Sequence, residues 1–336
     1  MNFSTTLSKI ISHESLTRQD VSDVFSAVFS GDLTPAQMGG FLCAMSTKGV
    51  TFEELAGAAS AMRAKASRIQ VIAKPVVDTC GTGGDGADTF NISTVAAFVV
   101  AGAGVTVAKH GNRSASSQCG SADVLEELGL NLDADPEVVE EAVNTIGIGF
   151  MFARKFHGAM KYAASVRREL GVRTMFNMLG PLTNPAAAGC QVLGVYSPDL
   201  TETFANALGL LGVKRAFVVH GHDGLDEITV CDKTRVSELC GGDVKTYEIY
   251  PEQYFGELAA ADALRGGDRH VNAQIARDVL SGRKGPRRNV VLINAAAALV
   301  AAEKADNIDA GIKLAEQSVD SGAAAEKLQK LIEYMR

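Results

Sequence analysis

One stretch of the sequence restricts the fold and the chemistry of this chain more than any other. It begins with a short apolar run, Pro75 to Val77, continues through a glycine-rich loop, and ends at an apolar helix that opens with Asn91 to Thr94. A strand, a loop with little side chain and a helix N-terminus together present unpaired backbone N–H groups, which bind anions. The stretch therefore predicts a phosphate-binding loop at the end of a strand.

The glycine-rich loop alone is weak evidence for such a site. Its glycines at 81, 83, 84 and 86 suit a plain tight turn equally well. Their spacing matches neither the dinucleotide fingerprint nor the P-loop. The polar groups of Thr89, Asn91, Ser93 and Thr94 at the helix start favour a ligand, although Ser or Thr there also serves as an ordinary N-cap.

A second polar loop follows the next predicted strand. It carries two cations and several hydroxyl groups ahead of a helix that starts at Ser121. This arrangement suits a second phosphate group, whereas a solvated surface loop would need no function. Two such loops at successive strand ends favour a ligand with two anionic groups. The candidates are Lys109, His110, Asn112, Arg113, Ser114, Ser116 and Ser117.

Two further segments carry charges that suit a metal and an anionic substrate. The loop after His220 contains Asp223, Asp226 and Glu227. Hard oxygen ligands that face a polyphosphate hold Mg²⁺, and the alternative is an acidic turn. Arg167 and Arg168 lie on a predicted helix, and either could point inward and pair with a substrate carboxylate, although an isolated helix arginine is more often solvated.

The order of the predicted elements indicates an α/β fold. From Asn2 to about Ile72 the apolar spacing is helical, with start signals at Thr17, Thr34-Pro35 and Thr51. Strands then alternate with helices, which implies parallel βαβ units. The predicted strands are 75–79, 105–108, 148–152, 191–196 and 215–220, with a hairpin at 236–250. The predicted helices are 92–103, 121–128, 136–146, 159–170, 201–211 and 289–303.

This order predicts two lobes. We expect a small all-helical lobe over residues 1–72 and a larger α/β lobe over residues 73–336, built on a mostly parallel central sheet. The length of 336 residues supports the division, because single cores rarely grow beyond about 250–300 residues.

Composition narrows the class of partner and the compartment. The net charge of −7 disfavours broad nucleic-acid binding. The six cysteines form no CxxC pair and no zinc-like cluster, and the polar N-terminus does not resemble a targeting peptide. The apolar run at 95–107 is shorter than the about 20 residues that a membrane span needs. We therefore expect a cytoplasmic protein with a small phosphorylated ligand, without a nucleic-acid or membrane partner.

Four segments together resemble the anthranilate phosphoribosyltransferases. They are DTCGTGGDGADTFNIST at 78–94, KHGNRSASSQCGSAD at 109–123, VRRELGVRTMFNMLGPLTNP at 166–185 and HGHDGLDE at 220–227. The resemblance spans nearly the whole chain. It implies a nucleoside phosphorylase-like fold, helices within 161–185 that return to the small lobe, and a homodimer through the helical lobes. It also implies transfer of phosphoribose from phosphoribosyl pyrophosphate to anthranilate in tryptophan biosynthesis.

The resemblance also implies site residues. Ser93 and Glu227 match ligands of one Mg²⁺, Asp226 and Glu227 those of a second, and Gly81, Asn112 and Arg167 match contacts to anthranilate. No catalytic side chain is implied, and His110 is expected as a substrate contact. The implied contacts to phosphoribosyl pyrophosphate are Gly81, Gly84, Asp85, Thr89, Asn91, Ile92, Ser93, Thr94, Lys109, His110, Gly111, Asn112, Arg113, Ser114, Ala115, Ser116, Ser117 and Ser121.

The match to the family is not complete, and two alternatives stay open. Gly158 stands where the family pattern has proline, and Phe156 and Ala115 also depart from it. One alternative is a pyrimidine nucleoside phosphorylase, which shares the lobes but binds free phosphate and a nucleoside. The other is a non-catalytic homologue that binds nucleic acid, which should carry a broad basic face.

Overall fold

Three of the first four helices begin at the capping signals expected from the sequence. The computed structural model describes residues 2–114 and 118–336. In it, Thr17, Thr34 and Thr51 each accept a hydrogen bond from the backbone three residues on, and each forms a full capping box. The four helices are α1 (Phe3–Ile11), α2 (Arg18–Ser30), α3 (Pro35–Lys48) and α4 (Phe52–Lys65).

A seven-stranded sheet follows these helices, in the order β3-β2-β1-β4-β5-β6-β7. The first five strands are parallel, and β6 and β7 form an antiparallel hairpin at one edge. The strand order reverses at β1, so a crevice opens beyond the C-terminal ends of β1 and β4, where α/β sheets bind ligands. The strands are β1 (Val76–Gly81), β2 (Thr106–Gly111), β3 (Ile148–Phe152), β4 (Cys190–Gly194), β5 (Arg215–Gly221), β6 (Thr234–Cys240) and β7 (Asp243–Ile249).

Helices cover both faces of this sheet, and the predicted fold class is confirmed. Short 3-10 helices lie at Gly158–Tyr162, Gly180–Leu182 and Ala261–Leu264. In the described ranges, no helix is both long and apolar enough to cross a membrane. The remaining helices are α5 (Ile92–Gly102), α6 (Ser121–Leu128), α7 (Pro136–Ile146), α8 (Ala153–Phe156), α9 (Ala164–Leu170), α10 (Phe176–Leu179), α11 (Leu200–Leu210), α12 (Glu252–Phe255), α13 (Arg269–Leu280), α14 (Pro286–Ala301), α15 (Ile308–Asp320) and α16 (Ala323–Tyr334).

The predicted single helix at 159–170 is wrong. The chain forms a 3-10 turn over Gly158–Tyr162, in which the Ala163 N–H bonds Met160 O, and α9 starts only after it. Apolar spacing does not distinguish bonds of the 3-10 type from those of the α type, since both place apolar residues three to four positions apart. The break turns the chain so that Ala163 and Val166 are both buried.

The two faces of the sheet pack into different cores. Phe217 and Val219 of β5 belong to the core that contains α5 and α14. Ala216 and Val218, which alternate with them, belong to the core that contains α11 and the N-terminal helices. The predicted burial of 289–303 is confirmed for α14, which is buried from Val290 to Ala301. One core therefore runs from the sheet into the helical lobe.

The segment from Ala163 to Leu182 packs on the N-terminal helices. The Phe176 ring lies 5.3 Å from the Phe25 ring of α2, centroid to centroid. The half-buried Arg63 guanidinium of α4 donates hydrogen bonds to the Leu182 carbonyl at 2.6 Å and the Leu211 carbonyl at 3.1 Å. These contacts connect the helical lobe to the segment that follows β3 and to the end of α11.

A close approach of α2 and α4 generates a stability prediction. A Cβ on Gly57 of α4 would overlap the Arg18 carbonyl oxygen, so Gly57→Ala should lower the free energy of unfolding by about 1–3 kcal/mol. Gly40 of α3 has no atom within 4 Å of the corresponding position. Gly40→Ala should therefore raise that free energy by about 0.5–1 kcal/mol. Urea unfolding followed by circular dichroism measures both, and equal shifts of the same sign would contradict the packing described.

Candidate active site

Asp226 lies at the base of the crevice between β1 and β4. Gly81 and Gly194 are paired across these two strands. A Cβ on Gly81 would overlap the Asp226 carboxylate, and one on Gly194 would overlap its carbonyl oxygen. The Asp226 carboxylate accepts a hydrogen bond from the Gly83 N–H at 2.8 Å. The acidic loop after β5 therefore reaches the glycine-rich loop only because both strands end in glycine.

The carboxyl groups in this crevice have raised pKa values. Burial raises the pKa of Asp226 well above its ordinary value, and the neighbouring Asp85 and Glu227 add to the effect. Burial also raises the pKa of Glu227 to about 7, against the opposing effect of Lys109. The Glu227 carboxylate accepts a hydrogen bond at 3.0 Å from the N–H of Ser93 in the first turn of α5. A cation bound here would relieve the repulsion between these carboxyl groups.

The two cations of the second loop differ in their surroundings. Lys109 is buried, and its ammonium group donates to the Thr79 carbonyl and lies 3.5 Å from Ser93 Oγ. Arg113 forms ion pairs at 2.8 Å with both Asp123 and Glu126 of α6. Its charge is therefore already balanced within the chain, a constraint that the sequence pattern did not show.

Side-chain hydrogen bonds connect the two loops. The Asn91 amide donates to the Cys119 carbonyl at 3.0 Å and accepts from the amide of Asn272 in α13 at 3.1 Å. The Ser121 hydroxyl donates to the Asn112 carbonyl at 3.2 Å, and the Asn112 side chain is at the exposed end of the loop. Sequence reasoning missed Asn272, because it follows Asn91 by 181 positions with no motif between them.

Arg167 of α9 is a half-buried cation whose guanidinium has no ion pair and no hydrogen bond in the described ranges. Its guanidinium carbon lies 5.2 Å from the centroid of the Phe176 ring. Burial lowers the pKa of Arg167. No carboxylate or carbonyl of residues 2–114 and 118–336 bonds the guanidinium. A planar cation in this state is suited to a bidentate carboxylate.

Two buried histidines contact each other, His110 of β2 and His157, which follows α8. The Nε2 atoms of His110 and His157 are 3.2 Å apart. Burial, and then the neighbouring ring, lowers the pKa of His110 to about 3, and burial lowers that of His157 to about 4. Both rings are therefore neutral near pH 7, and one donates to the other. No motif in the sequence pointed to His157.

Several predicted residues occupy other places. The Gly84 carbonyl accepts a hydrogen bond from Arg173, which sequence reasoning missed, and Thr89 forms a β-bridge with Arg265. Asp223 accepts from the Thr229 hydroxyl at 2.6 Å and so stabilises its own loop. Ile92 is buried in the core, and Thr94 Oγ1 is buried without a hydrogen-bond partner in the described part of the chain. Gly111 is the last residue of β2. The Ser114 N–H donates a hydrogen bond to the Asp123 carboxylate. Ala115, Ser116 and Ser117 lie outside the described residues.

The donor set fits a magnesium ion that keeps other oxygen ligands. Among residues 2–114 and 118–336, no three His, Cys, Asp or Glu side chains form a metal site by themselves. Ser93, Asp226 and Glu227 supply hard oxygen atoms, and a cation would offset the repulsion by which Asp85 and Glu227 add to the raised pKa of Asp226. Mg²⁺ commonly takes one or two carboxylates together with water and phosphate oxygens.

Comparison with known proteins decides the family. An anthranilate phosphoribosyltransferase of Desulfosudis oleivorans is 67% identical over 335 residues, which are 99% of this chain and 99% of that protein. The chain belongs to the anthranilate phosphoribosyltransferase family. Residues 4–66 match the glycosyl transferase family helical bundle domain, and residues 73–325 match its a/b domain. The resemblance based on four motifs is thereby confirmed.

Solved structures of the family share the whole fold. The anthranilate phosphoribosyltransferase of Thermus thermophilus has a TM-score of 0.93 and 44% identity, covering 98% of this chain and 99% of that one. The Saccharomyces cerevisiae protein has been solved in complex with PRPP and Mg, and also with 4-fluoroanthranilate. These have TM-scores of 0.90 and 0.88, identities of 29% and 28%, and cover 99% of this chain and 97% of theirs. The family assignment argues against both alternatives left open by the sequence, the pyrimidine nucleoside phosphorylase and the non-catalytic homologue that binds nucleic acid.

The histidine pair predicts a loss of stability in mild acid. The folded-state pKa values of about 3 and about 4 lie below the ordinary 6.5, so the unfolded chain takes up protons that the folded protein does not. The stability present above pH 6.5 is lost as the pH falls toward 4, by about 2 kcal/mol per histidine at pH 5. Urea unfolding at pH 7 and pH 5 measures the loss. In His157→Gln, the loss of unfolding free energy that the histidines cause between pH 7 and pH 5 should be about half as large, because one buried histidine remains. The same loss in wild type and variant would contradict the lowered pKa values assigned to this pair.

Proposed function

We propose that this protein transfers the phosphoribosyl group of phosphoribosyl pyrophosphate to the amine of anthranilate and releases diphosphate, the second step of tryptophan biosynthesis from chorismate. One observation carries the proposal. In the described residues, the glycine-rich loop lies against the buried Asp226 carboxylate beside Glu227, and the half-buried Arg167 guanidinium has no ion pair. The first part suits a diphosphate with Mg²⁺, and the second suits a carboxylated acceptor.

The donor site is assigned to the loops at the ends of β1, β2 and β5. The backbone of Gly81, Gly84 and Asp85 is assigned to the diphosphate, together with the hydroxyl groups of Ser93 and Thr94 at the start of α5, whose N–H groups are already bonded within the chain. The chain from Lys109 to Ser121 supplies further donors for the sugar phosphate. Ser93, Asp226 and Glu227 would hold two Mg²⁺ ions per subunit. Mg²⁺ supplies positive charge that makes diphosphate a better leaving group.

The acceptor site is assigned to Arg167, Asn112 and Gly81. The Arg167 guanidinium pairs with the anthranilate carboxylate and thereby orients the amine toward the sugar. An aromatic amine is unprotonated at neutral pH, so the protein needs no nucleophile and no strong base. The neutral His110 accordingly acts as a contact, since its pKa of about 3 makes it a weak proton acceptor. Catalysis then rests on positioning and charge stabilisation.

We also propose the organisation of the subunit. Residues 1–72 form the helical lobe with helices of 161–185, supported by the packing of Phe176 on Phe25, and residues 73–336 form the donor-binding lobe. Two copies associate through their helical lobes, as expected from the family. The location in the cytoplasm stays a prediction from the scattered cysteines.

A direct assay tests the proposed reaction. Anthranilate fluorescence should fall when purified protein receives phosphoribosyl pyrophosphate and Mg²⁺, and the fall should stop when a chelator removes the metal. Omission of phosphoribosyl pyrophosphate is the control. No consumption of anthranilate by protein with a native circular dichroism spectrum would refute the reaction.

A substitution tests the acceptor site. Arg167→Ala should raise the KM for anthranilate by about 10- to 100-fold, because a charge-assisted pair is lost. The KM for phosphoribosyl pyrophosphate should change little. Arg168→Ala is the matched control, since Arg168 is exposed on the same helix. Steady-state kinetics with each substrate varied in turn measure both constants, and an equal rise of the two in Arg167→Ala would remove this arginine from the acceptor site.

A further inference from the structure

We propose that Arg173 is a positioning residue for the phosphoribosyl donor, because it holds the glycine-rich loop from the segment between α9 and α10. The inference rests on the proposed function for the identity of the donor. Its structural basis is a hydrogen bond from the Arg173 guanidinium to the Gly84 carbonyl oxygen. Arg173 lies between α9 and α10, in a segment that contributes no strand to the sheet.

Three consecutive residues of the loop are held by three different parts of the chain. The Thr82 N–H donates to the Gly194 carbonyl at 2.9 Å, and its hydroxyl accepts from the Tyr196 N–H at 3.1 Å. The Gly83 N–H donates to Asp226. The Gly84 carbonyl is held by Arg173. Beyond these contacts, the loop depends on Arg173 for its attachment to the segment that precedes α10.

Arg173 itself is well anchored. Its guanidinium carbon lies 4.6 Å from the centroid of the Tyr196 ring, an attractive cation–π distance. The next residue, Thr174, donates its N–H to the Asn177 side chain at 3.0 Å. Phe176 packs on Phe25 of the helical lobe. Within residues 2–114 and 118–336, no carboxylate forms an ion pair with Arg173, so its charge is directed to the loop.

The contact matters because a peptide group is planar. The Gly84 carbonyl and the Asp85 N–H belong to one peptide unit and point in opposite directions. When Arg173 holds the carbonyl, the Asp85 N–H points away from Arg173. In the described part of the chain, the N–H groups of Gly84, Asp85 and Gly86 donate no hydrogen bond. Three successive free N–H groups form an anion-binding site, and Arg173 fixes the orientation of the central one, the Asp85 N–H.

The geometry at Gly84 supports this role. Its φ angle is +78°, and a Cβ there would lie 2.8 Å from the Arg173 guanidinium. Lys109 is buried under the loop, and Arg113 is paired with Asp123 and Glu126. Neither of these cations is bonded to the glycine-rich loop. Arg173 is therefore the guanidinium that bonds this loop in the described ranges.

Arg173→Ala and Arg173→Lys in the full-length protein test the proposal, with Arg168→Ala as the matched control. In Arg173→Ala, the KM for phosphoribosyl pyrophosphate should rise about tenfold, the effect of losing one hydrogen bond to a charged group. The KM for anthranilate should stay within about twofold of the wild-type value. Arg173→Lys should fall between wild type and Arg173→Ala, because it keeps the charge but loses the planar stacking.

Hydrogen–deuterium exchange without substrate gives a second readout. The hydrogen-bonded amides of the loop, those of Thr82, Gly83 and Ala87, should exchange faster in Arg173→Ala than in wild type and in Arg168→Ala. Unchanged exchange, or equal increases in both KM values, would overturn the proposal. Absence of activity in the wild type would refute the proposed function alone, and the exchange comparison would still decide whether Arg173 orders the loop.

Discussion

The active site depends on the contact of Asp226 with two paired glycines. Gly81 and Gly194 end neighbouring parallel strands at the point where the strand order reverses. Any larger residue at either position would occupy the space of Asp226. The contact connects the acidic loop after β5 to the glycine-rich loop after β1, so the groups proposed to bind diphosphate and metal are assembled on one edge of the sheet.

The charges around this contact are balanced only in part by the chain itself. Asp226 and Glu227 are buried with raised pKa values, and Lys109 opposes the effect for Glu227. Buried carboxyl groups of like charge destabilise a folded protein unless a cation joins them. Sites that are strained in this way are typical of active sites, where binding energy matters more than the stability of the empty protein. Arg167 is likewise half-buried, and burial lowers its pKa, so the proposed acceptor carboxylate would balance a charge that the described residues leave without an ion pair.

The segment that contains α9 and α10 lies between the helical lobe and the glycine-rich loop. Phe176 packs on the aromatic core of α2, and Arg167 and Arg173 lie on either side of the turn at Gly171 in the segment that precedes it. The first arginine is the one proposed for the acceptor, and the second bonds the Gly84 carbonyl of the glycine-rich loop. One segment thereby connects the glycine-rich loop to the lobe that contains α2 and α4.

Local signals determined a large part of the fold. The capping residues Thr17, Thr34 and Thr51, the edge hairpin and the buried α14 all followed from the sequence, because caps, turns and apolar spacing act over a few residues. The motifs also located both loops and the acidic pair. Spacing did not show the break before α9, since 3-10 and α bonding share nearly the same apolar pattern.

Tertiary structure decided which of the polar side chains face each other. The His110–His157 pair, the ion pairs of Arg113 and the contact of Arg173 with Gly84 join residues 10 to 89 positions apart. Hydrogen bonds and ion pairs form wherever the fold brings groups within reach, and distance along the chain carries no record of that. The glycine-rich stretch from Pro75 to Thr94 by itself determined a strand, a loop with little side chain and a helix start. Only the packing of the sheet and the helical lobe decided that the Asp226 carboxylate lies against that loop and that Arg173 bonds the Gly84 carbonyl of the loop.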